Sequence, residues 1–372
     1  MMKKYKVGLI GFGFIGKVHE FGFRNIPLYY NNDDFSAEVV KVCTSKPETA
    51  ARAAQLTGAE AVTDFRAITE DPEIDIVDIA SPNNCHYEEL CSAMAHNKHI
   101  YCDKPLTDNA EEAMKIAALL PGYKGIAQMT LMYRFYPAVL RAKELIDAGR
   151  IGRILEIHAS FLHSGSVSPD TPYKWKLGAG TTADLGSHIF DLMQFLAGPV
   201  SALTAHTFIA HPERKDFYDP AKTVKITADD SMHCLVRLAN GGVGTVSASK
   251  VATGTEDEVR FTIHGTKGAL RMDPMNLQQL FFYDNTAPDA PHGGLRGWTA
   301  IDCGARFGGN AAFPAPKAVM GWMRGHVHCL HNFLEAVHLG KMPAPSLADG
   351  IQLQILLDKV KESARTGNWV TL

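Results

Sequence analysis

The sequence has few of the features that mark a secreted or membrane-embedded protein. Its seven cysteines are an odd number and form no CxxC pair, which argues against a disulfide scaffold and fits a reducing cytoplasm. No run reaches about 18 uninterrupted apolar residues, so no membrane span is expected. The apolar run after the first lysines extends only from Val7 to Ile10 and no cleavage site follows, so we expect no signal peptide.

The chain also has little excess of charge of either sign. The formal net charge of −3 predicts no strong field, and neither nucleic acid nor an anionic membrane is expected as a partner. We found no internal repeat and no low-complexity tract. A chain of 372 residues with 46% hydrophobic content predicts two domains with real cores.

Short apolar runs alternate with helical patterns over the first third of the chain. This alternation predicts a doubly wound parallel sheet with helices on both faces over residues 1–127. Asp108 is the expected N-cap of a helix over 109–120. The predicted strands are Val7–Ile10, Val39–Cys43, Ile74–Ala80 and His99–Cys102.

The pattern changes after about residue 150. Apolar and polar residues alternate with period 2 over 155–161, 232–238 and 259–264. Strands of this kind predict an open, mainly antiparallel sheet, and we assign residues 128–372 to a second domain. Residues 285–318, rich in glycine, proline and alanine, are expected to form a long loop.

A glycine-rich loop follows the first predicted strand and opens the first helix. Its glycines, Gly11, Gly13 and Gly16, have the spacing GxGxxG, with Phe12, Phe14 and Ile15 between them. In that context the first glycine makes a tight turn, the second admits a pyrophosphate and the third allows close helix packing. The alternative is a glycine-rich turn that binds nothing. The loop predicts NAD or NADP as cofactor.

The end of the second strand normally selects between the two cofactors. An acid there binds the ribose 2′-hydroxyl and repels a 2′-phosphate. Here the position is occupied by Thr44, Ser45 and Lys46, without an acid. This favours NADP slightly, although a solvated turn that tolerates either cofactor explains the same residues.

Two further segments carry candidate catalytic groups. Asp103-Lys104-Pro105 follows an apolar strand, and the carboxyl ends of parallel strands are where such sheets bind ligands. Asp184 and His188 lie four residues apart, so they share a helix face, with Asp191 one turn further on. An aspartate can orient a histidine, and histidine is suited to accept a hydroxyl proton near neutral pH. A surface lysine and a solvated helix face are the alternatives.

Together these segments resemble the Gfo/Idh/MocA oxidoreductase family over nearly the whole chain. The matching residues are the glycine loop, Ser81-Pro82-Asn83 with His86, Asp103-Lys104-Pro105, Tyr133-Arg134-Phe135-Tyr136-Pro137, Trp175-Lys176, Asp184 to His188, Gly265 to Gly268 and Leu347 to Gly350. The family usually has glutamate where Asp103 stands and arginine where Lys176 stands. The second change loses a bidentate fork.

The resemblance implies a Rossmann dinucleotide-binding domain over residues 1–127, followed by a substrate-binding and oligomerisation domain over 128–372, which is an α/β domain with a large open sheet. It also implies dimers or tetramers. It implies that Lys104, Asp184 and His188 meet at the nicotinamide, where Lys104 and His188 share the proton relay from a substrate hydroxyl. It also implies a small carbohydrate substrate and no metal. The residues that it places at the cofactor are Ser81, Pro82, Asn83, His86, Asp103, Lys104, Trp175 and Lys176, and those in the substrate pocket are Lys104, Tyr133, Arg134, His163, Asp184 and His188.

Alternatives remain at the C-terminal histidines and for the net reaction. The segment from His326 to His331 is rich in histidine, and His328 and His331 could share a helix face that binds zinc. No carboxylate or second cysteine nearby completes the ligands, so we favour His326 in the substrate cleft, with the other two packed or facing solvent. Some relatives oxidise a sugar only transiently and act as glycoside hydrolases. A cofactor-sensing protein of the same fold is disfavoured because Lys104, Asp184 and His188 are present.

Overall fold

The structure is a computed structural model that describes residues 2–30, 34–172, 180–272, 276–304, 313 and 321–372. The chain folds as two compact units, residues 1–135 with 308–355 and residues 136–307 with 356–372. The single domain boundary expected after residue 127 stays a prediction. All seven cysteines are free thiols. Within the described ranges, no helix combines the length and apolarity that a membrane crossing requires.

The first unit contains a six-stranded parallel sheet, as the alternation of strands and helices predicted. Its strand order is β3-β2-β1-β4-β5-β6, the doubly wound order in which the first and fourth strands are neighbours. β4 is buried along its whole length, because helices cover both faces of such a sheet. The strands are β1 (Lys3–Ile10), β2 (Phe35–Cys43), β3 (Glu60–Val62), β4 (Ile76–Ile79), β5 (His99–Cys102) and β6 (Ala127–Met129).

The described part of the chain has α-helices in both units. They are α1 (Phe14–Tyr29), α2 (Pro47–Thr57), α3 (Arg66–Thr69), α4 (Asn83–Ala95), α5 (Ala110–Leu119), α6 (Pro137–Asp147), α7 (Ser187–Ala197), α8 (Trp322–Leu339) and α9 (Leu347–Thr366).

The N-cap of α5 is a correction to the sequence analysis. Asn109, not Asp108, caps this helix, and its side-chain oxygen accepts a hydrogen bond from the backbone N–H of Glu112 at 3.0 Å. The Asp108 carboxylate is engaged elsewhere, because it accepts from the Asn83 side chain. Two adjacent polar residues cannot be separated as caps by local pattern alone.

The second unit contains the open sheet expected from the period-2 segments. Its order is β16-β15-β14-β13-β7-β12-β11-β8-β17, and β7 and β12 are its parallel pair while the other pairs are antiparallel. β9 and β10 form a separate ribbon. The strands are β7 (Ile154–Leu162), β8 (Val200–Phe208), β9 (Glu213–Lys215), β10 (Thr223–Lys225), β11 (Ser231–Leu238), β12 (Val243–Ser249), β13 (Glu258–Gly265), β14 (Gly268–Met272), β15 (Gln279–Asp284), β16 (Trp298–Asp302) and β17 (Val370–Thr371).

β16 corrects one expectation, because it lies inside the segment 285–318 that was expected to be loop throughout. β16 pairs with β15, although its own residues show no clear strand pattern. The inner face of the sheet packs against α7, whose apolar side chains Ile189 and Leu192 are fully buried. This packing sets the position of the α7 N-terminus near the carboxyl ends of β7 and β12.

Candidate active site

The glycine-rich loop connects β1 to α1 in the conformation that a dinucleotide requires. Gly11 has φ +92°, and a Cβ there would lie 2.5 Å from the carbonyl oxygen of Ala80. A Cβ on Gly16 would lie 2.1 Å from the carbonyl oxygen of Gly11. A Cβ on Gly13 would meet nothing within 4 Å. Two glycines are therefore required by packing, whereas the middle one faces open space where a pyrophosphate can approach.

The N-terminus of α1 has unneutralised positive character. Gly13 is the N-cap, no side chain caps the helix and no acidic residue lies in its first turn. Exposed N–H groups and the helix dipole at such an end attract phosphate oxygens. Together with the open space at Gly13, this chemistry fits a nicotinamide dinucleotide.

The segment after β2 has no carboxylate within it, as the sequence indicated. The Thr44 hydroxyl is engaged by the Lys46 carbonyl at 3.1 Å and by Thr49 at 2.6 Å. Ser45 and Lys46 are exposed. The two exposed side chains are thus able to turn toward an adenosine ribose or its 2′-phosphate.

His86 joins the loops that follow β4 and β5. It is fully buried, and its Nδ1 and Nε2 lie 3.0 Å from the carbonyl oxygens of Pro105 and Ser81, respectively. Burial lowers the pKa of this ring. Asn83 adds a second tie, because its amide donates to Asp108 at 3.1 Å. Both side chains are occupied by protein groups, so their geometry supports the loops around the predicted cofactor position.

Lys104 occupies the turn directly after β5. The N–H of Asp103 donates to the carbonyl of Ile79 at the end of β4, and the Lys104–Pro105 peptide bond is cis. The lysine is partly buried. The turn is therefore held between the end of β4 and His86. It lies at the carboxyl ends of the central strands, where open α/β sheets bind ligands.

A buried ion pair behind the glycine loop escaped the sequence analysis. His19 on α1 and Asp78 in β4 are nearly inaccessible, with Nδ1 and Oδ1 2.9 Å apart. Burial alone would lower the pKa of His19, but the Asp78 carboxylate outweighs it and the pKa is raised. A carboxylate within the apolar run Ile76–Ile79 was the available signal, because such a group needs a partner.

The three C-terminal histidines lie on α8 but do not converge. His331 stacks on Tyr30 with ring centres 3.6 Å apart, and His328 meets the Phe135 ring edge-on. Burial lowers the pKa of His331 to about 3 and that of His328 to about 4. Across the described part of the chain, no three His, Cys, Asp or Glu side chains are arranged to hold a metal.

His326 differs from the other two histidines. It packs on Trp322, and burial together with the charges of His19 and Lys104 lowers its pKa well below the usual value. Its two ring nitrogens have no hydrogen-bond partner in the described residues. Orphaned buried polar atoms call for ordered water or a polar ligand, which fits the substrate role predicted for His326.

Tyr133 and Arg134, predicted pocket residues, are both buried. The Arg134 guanidinium donates to Asp349 at 3.1 Å. Burial would raise the pKa of Asp349, but Arg134 and the bonds from Ser346 lower it instead. The Leu347–Gly350 motif thus has a structural reason in this ion pair.

The predicted Asp184–His188 face has an unexpected backbone. Residues Thr182–Gly186 form a turn of π-helix, and the α-helical part begins at Ser187. The wider turn changes the spacing expected from a regular α-helix, and π-bulges are frequent at functional sites. Asp184 and His188 are both partly exposed, and the His188 ring lies 6.0 Å from that of Phe161.

Two residues at the ends of β7 and β12 complete this group. His163 follows β7; its Nδ1 accepts from the N–H of Gly165, and burial followed by the Lys250 charge lowers its pKa. Lys250 follows β12 and pairs with Asp184, Nζ to Oδ2, at 3.0 Å. Sequence analysis missed Lys250, since nothing local distinguishes it from a surface lysine.

The structure does not bring the remaining predicted residues into this group. Trp175 and Lys176 lie outside the described residues. Lys104 belongs to the first unit and Asp184 and His188 to the second, so their meeting at a nicotinamide stays a prediction.

Both parts of the chain match models of one enzyme family. Residues 5–130 match the oxidoreductase family with an NAD-binding Rossmann fold, and residues 139–271 match the GFO/IDH/MocA C-terminal domain. The chain belongs to the Gfo/Idh/MocA family. It is an NAD(P)-dependent dehydrogenase acting on CH–OH groups, as the sequence resemblance implied.

Individual relatives match the chain over all or part of its length. Levoglucosan dehydrogenase of Pseudarthrobacter phenanthrenivorans is 32% identical over 99% of this chain and 98% of its own. A solved levoglucosan dehydrogenase in complex with NADH and levoglucosan superposes with a TM-score of 0.93 at 30% identity, covering 99% of each chain. An NADP+-linked scyllo-inositol 2-dehydrogenase of Bacillus subtilis is 30% identical over 54% of each protein. The Gfo/Idh/MocA member described here is a sugar dehydrogenase in this coarse sense.

Proposed function

We propose that this enzyme oxidises a secondary alcohol of a pyranose-like sugar, an anhydrosugar or an inositol, with a nicotinamide dinucleotide as hydride acceptor. The observation that carries the proposal is full-length similarity to levoglucosan dehydrogenase together with the presence of Lys104, Asp184 and His188. Oxidation of an alcohol needs a group that accepts the hydroxyl proton, and lysine and histidine are suited to it.

In the proposed reaction, Lys104 and His188 hold the substrate hydroxyl and share the relay that takes up its one proton, and Asp184 orients the substrate and the His188 ring. The bound nicotinamide supplies the hydride acceptor. The pyrophosphate of the dinucleotide would bind at the α1 N-terminus, held by the loop residues Gly11, Phe12, Gly13, Phe14, Ile15 and Gly16. His86 and Asn83 would keep the Ser81 and Lys104 loops in place, and Tyr133, Arg134, His163 and His326 remain proposed pocket residues.

The cofactor preference is proposed to be broad. Ser45 and Lys46 are exposed and no acid lies between β2 and α2, so this segment can accept a 2′-phosphate and slightly favours NADP. The relatives are linked to both cofactors, NADH in the full-length match and NADP+ in the partial one. We therefore expect kcat/KM values for NAD and NADP within about tenfold of each other, a difference of roughly 1.4 kcal/mol.

A homo-oligomer is proposed as well, in the reducing cytoplasm that seven free thiols favour. The outer face of the open sheet carries exposed apolar side chains, among them Leu235, Val243 and Phe208. Such faces are commonly covered by a second copy in symmetric assemblies. Light scattering on the purified protein checks this, and a monomer at micromolar concentration would contradict it.

The deciding experiment is an absorbance assay at 340 nm. Desalted enzyme would be offered NAD or NADP with levoglucosan, xylose, inositols, sugar acids and aryl glycosides. Cofactor reduction with one substrate class supports the proposal and identifies the cofactor. Glycoside cleavage that depends on retained NAD, without net reduction, would replace it with the hydrolase alternative. Nucleotide binding without either reaction would favour a sensor.

A further inference from the structure

Lys250 places a buried cation directly beside a proposed reaction residue. Its side chain is 4% exposed, and its ammonium lies 3.0 Å from Oδ2 of Asp184. The backbone is fixed on both sides, because its N–H donates to Asp230 and its carbonyl accepts from Ser166. The ammonium position is therefore determined by the sheet rather than by a flexible surface chain.

Two further carboxyl groups, of Asp229 and Asp257, interact electrostatically with the Lys250–Asp184 pair. The half-buried Asp229 accepts hydrogen bonds from the N–H and the hydroxyl of Thr182; burial raises its pKa, and the Lys250 charge counteracts that effect. Burial and the charge of Asp184 both raise the pKa of Asp257. Among the described residues, His163 feels the Lys250 charge, and the Asp230–Arg214 pair, 3.6 Å apart, flanks the Lys250 backbone.

Stability alone is a poor reason for this pair. Removing the Lys250 ammonium from water costs several kcal/mol, and the Asp184 carboxylate that repays this cost is itself partly hydrated, with 27% of its side chain exposed. A charged pair on a π-turn next to His188 has instead a consequence for chemistry. It fixes one carboxylate oxygen of Asp184 and sets the electrostatic balance among three neighbouring carboxyl groups.

We propose that Lys250 is a positioning residue of the dehydrogenase, which holds Asp184 ionised and oriented for the substrate and for His188. This inference rests on the proposed function of Asp184 and His188. Without the ammonium, Asp184 would lose its fixed oxygen and repel Asp257, so the two carboxyl groups would retain a proton to higher pH.

The test compares Lys250→Met and Lys250→Arg with Lys225→Met, a control at an exposed lysine on β10. For Lys250→Met we expect kcat/KM to fall on the order of 10²-fold, the size that misplacement of a reacting group causes. We also expect the acidic limb of the pH profile to move to higher pH, with NADH affinity unchanged. Lys250→Arg should keep the acidic limb and recover part of the activity.

A wild-type pH profile in Lys250→Met would overturn the proposal. So would a loss of activity that follows a loss of thermal stability with the profile unchanged, because that is a structural effect. If Lys250→Met does not fold, Lys250→Gln and Lys250→Arg provide the same comparison.

A second measurement does not depend on catalysis. In a double-mutant cycle of Lys250→Met and Asp184→Asn, unfolding free energies should be strongly non-additive, with the double variant more stable than the sum of the single effects predicts. Additive effects would refute the pairing. A further outcome is that the wild type reduces no cofactor with any sugar while the cycle is non-additive. In that case the proposed function fails, but the conclusion that Lys250 stabilises the ionised Asp184 stands.

Discussion

In the proposed reaction, Lys104 acts in proton transfer, and its loss should impair turnover without impairing cofactor binding. Its turn is held by the backbone hydrogen bond of Asp103 and by His86, so truncation of the side chain removes the amino group without removing the support of the loop. We expect Lys104→Ala to lower kcat by 10² to 10⁴-fold, the range of general acid–base groups. NADH affinity, followed by fluorescence, should stay within about threefold. Lys124→Ala, at an exposed lysine of the same unit, is the control, and unchanged turnover in Lys104→Ala would refute the assignment.

Residue identity was predictable where a motif carries it, and not where a contact does. Lys104, Asp184 and His188 stand out because each lies in a recognisable segment. His19, Asp78 and Lys250 do not, since their roles arise from partners far away in the chain: His19 and Asp78 are 59 positions apart. Burial turns these ordinary residues into coupled charges, and sequence patterns contain no direct record of burial depth.

The glycine loop allows a prediction at the level of one element. Gly13 has open space around its missing Cβ, whereas Gly16 has the Gly11 carbonyl there. Gly13→Ala should therefore keep the melting temperature within about 2 °C while weakening NADH binding by tenfold or more, roughly 1.4 kcal/mol. Calorimetric titration and thermal unfolding measure the two effects. Gly122→Ala, another glycine with open surroundings, is the matched control, and equal affinities in both variants would mean that the loop does not approach the cofactor.

The start of α5 offers a second test at this scale. Asn109 accepts the bond from the Glu112 N–H, so Asn109→Ala should lower the free energy of unfolding by about 1 kcal/mol. Asp108→Ala removes only the acceptor of the Asn83 amide and should cost less. Urea denaturation of the two variants distinguishes them. A larger loss in Asp108→Ala would restore the cap that the sequence suggested.

Element type was predictable because hydrophobic period is a local property. The parallel strands, the glycine loop and the period-2 strands were all predicted and confirmed in kind. The π-turn at Thr182–Gly186 was not, because the run from Asp184 to His188 is equally compatible with a regular helix. β16 was missed since its strand conformation depends on pairing with β15.

Stability of the whole molecule should depend on pH through Glu89. This residue is buried on α4 and accepts from the Ser81 hydroxyl at 2.5 Å, and burial raises its pKa to about 7. A raised pKa means that the folded state binds the proton more tightly. Its contribution is therefore fully present below the unfolded pKa near 4.5 and is lost as the pH rises through about 7.

Glu89→Gln lacks this titration. The unfolding free energy of the variant relative to the wild type should increase between pH 4.5 and 7, by at most roughly 3 kcal/mol, and level off above. Urea denaturation across this range measures it, with Glu88→Gln at the exposed neighbour as control. A pH-independent difference between Glu89→Gln and the wild type would show that Glu89 titrates normally.

For the molecule as a whole, the sequence by itself determined the strand–helix alternation, the cofactor loop, the family and the segments that carry the proposed chemistry. These features are local, because spacing and period are written in consecutive residues. Only the tertiary structure decided that Asp78 faces His19, that Arg134 meets Asp349 across 215 positions and that Lys250 holds Asp184. Strand order and helix packing bring these groups together, and burial then makes each charge depend on its partner.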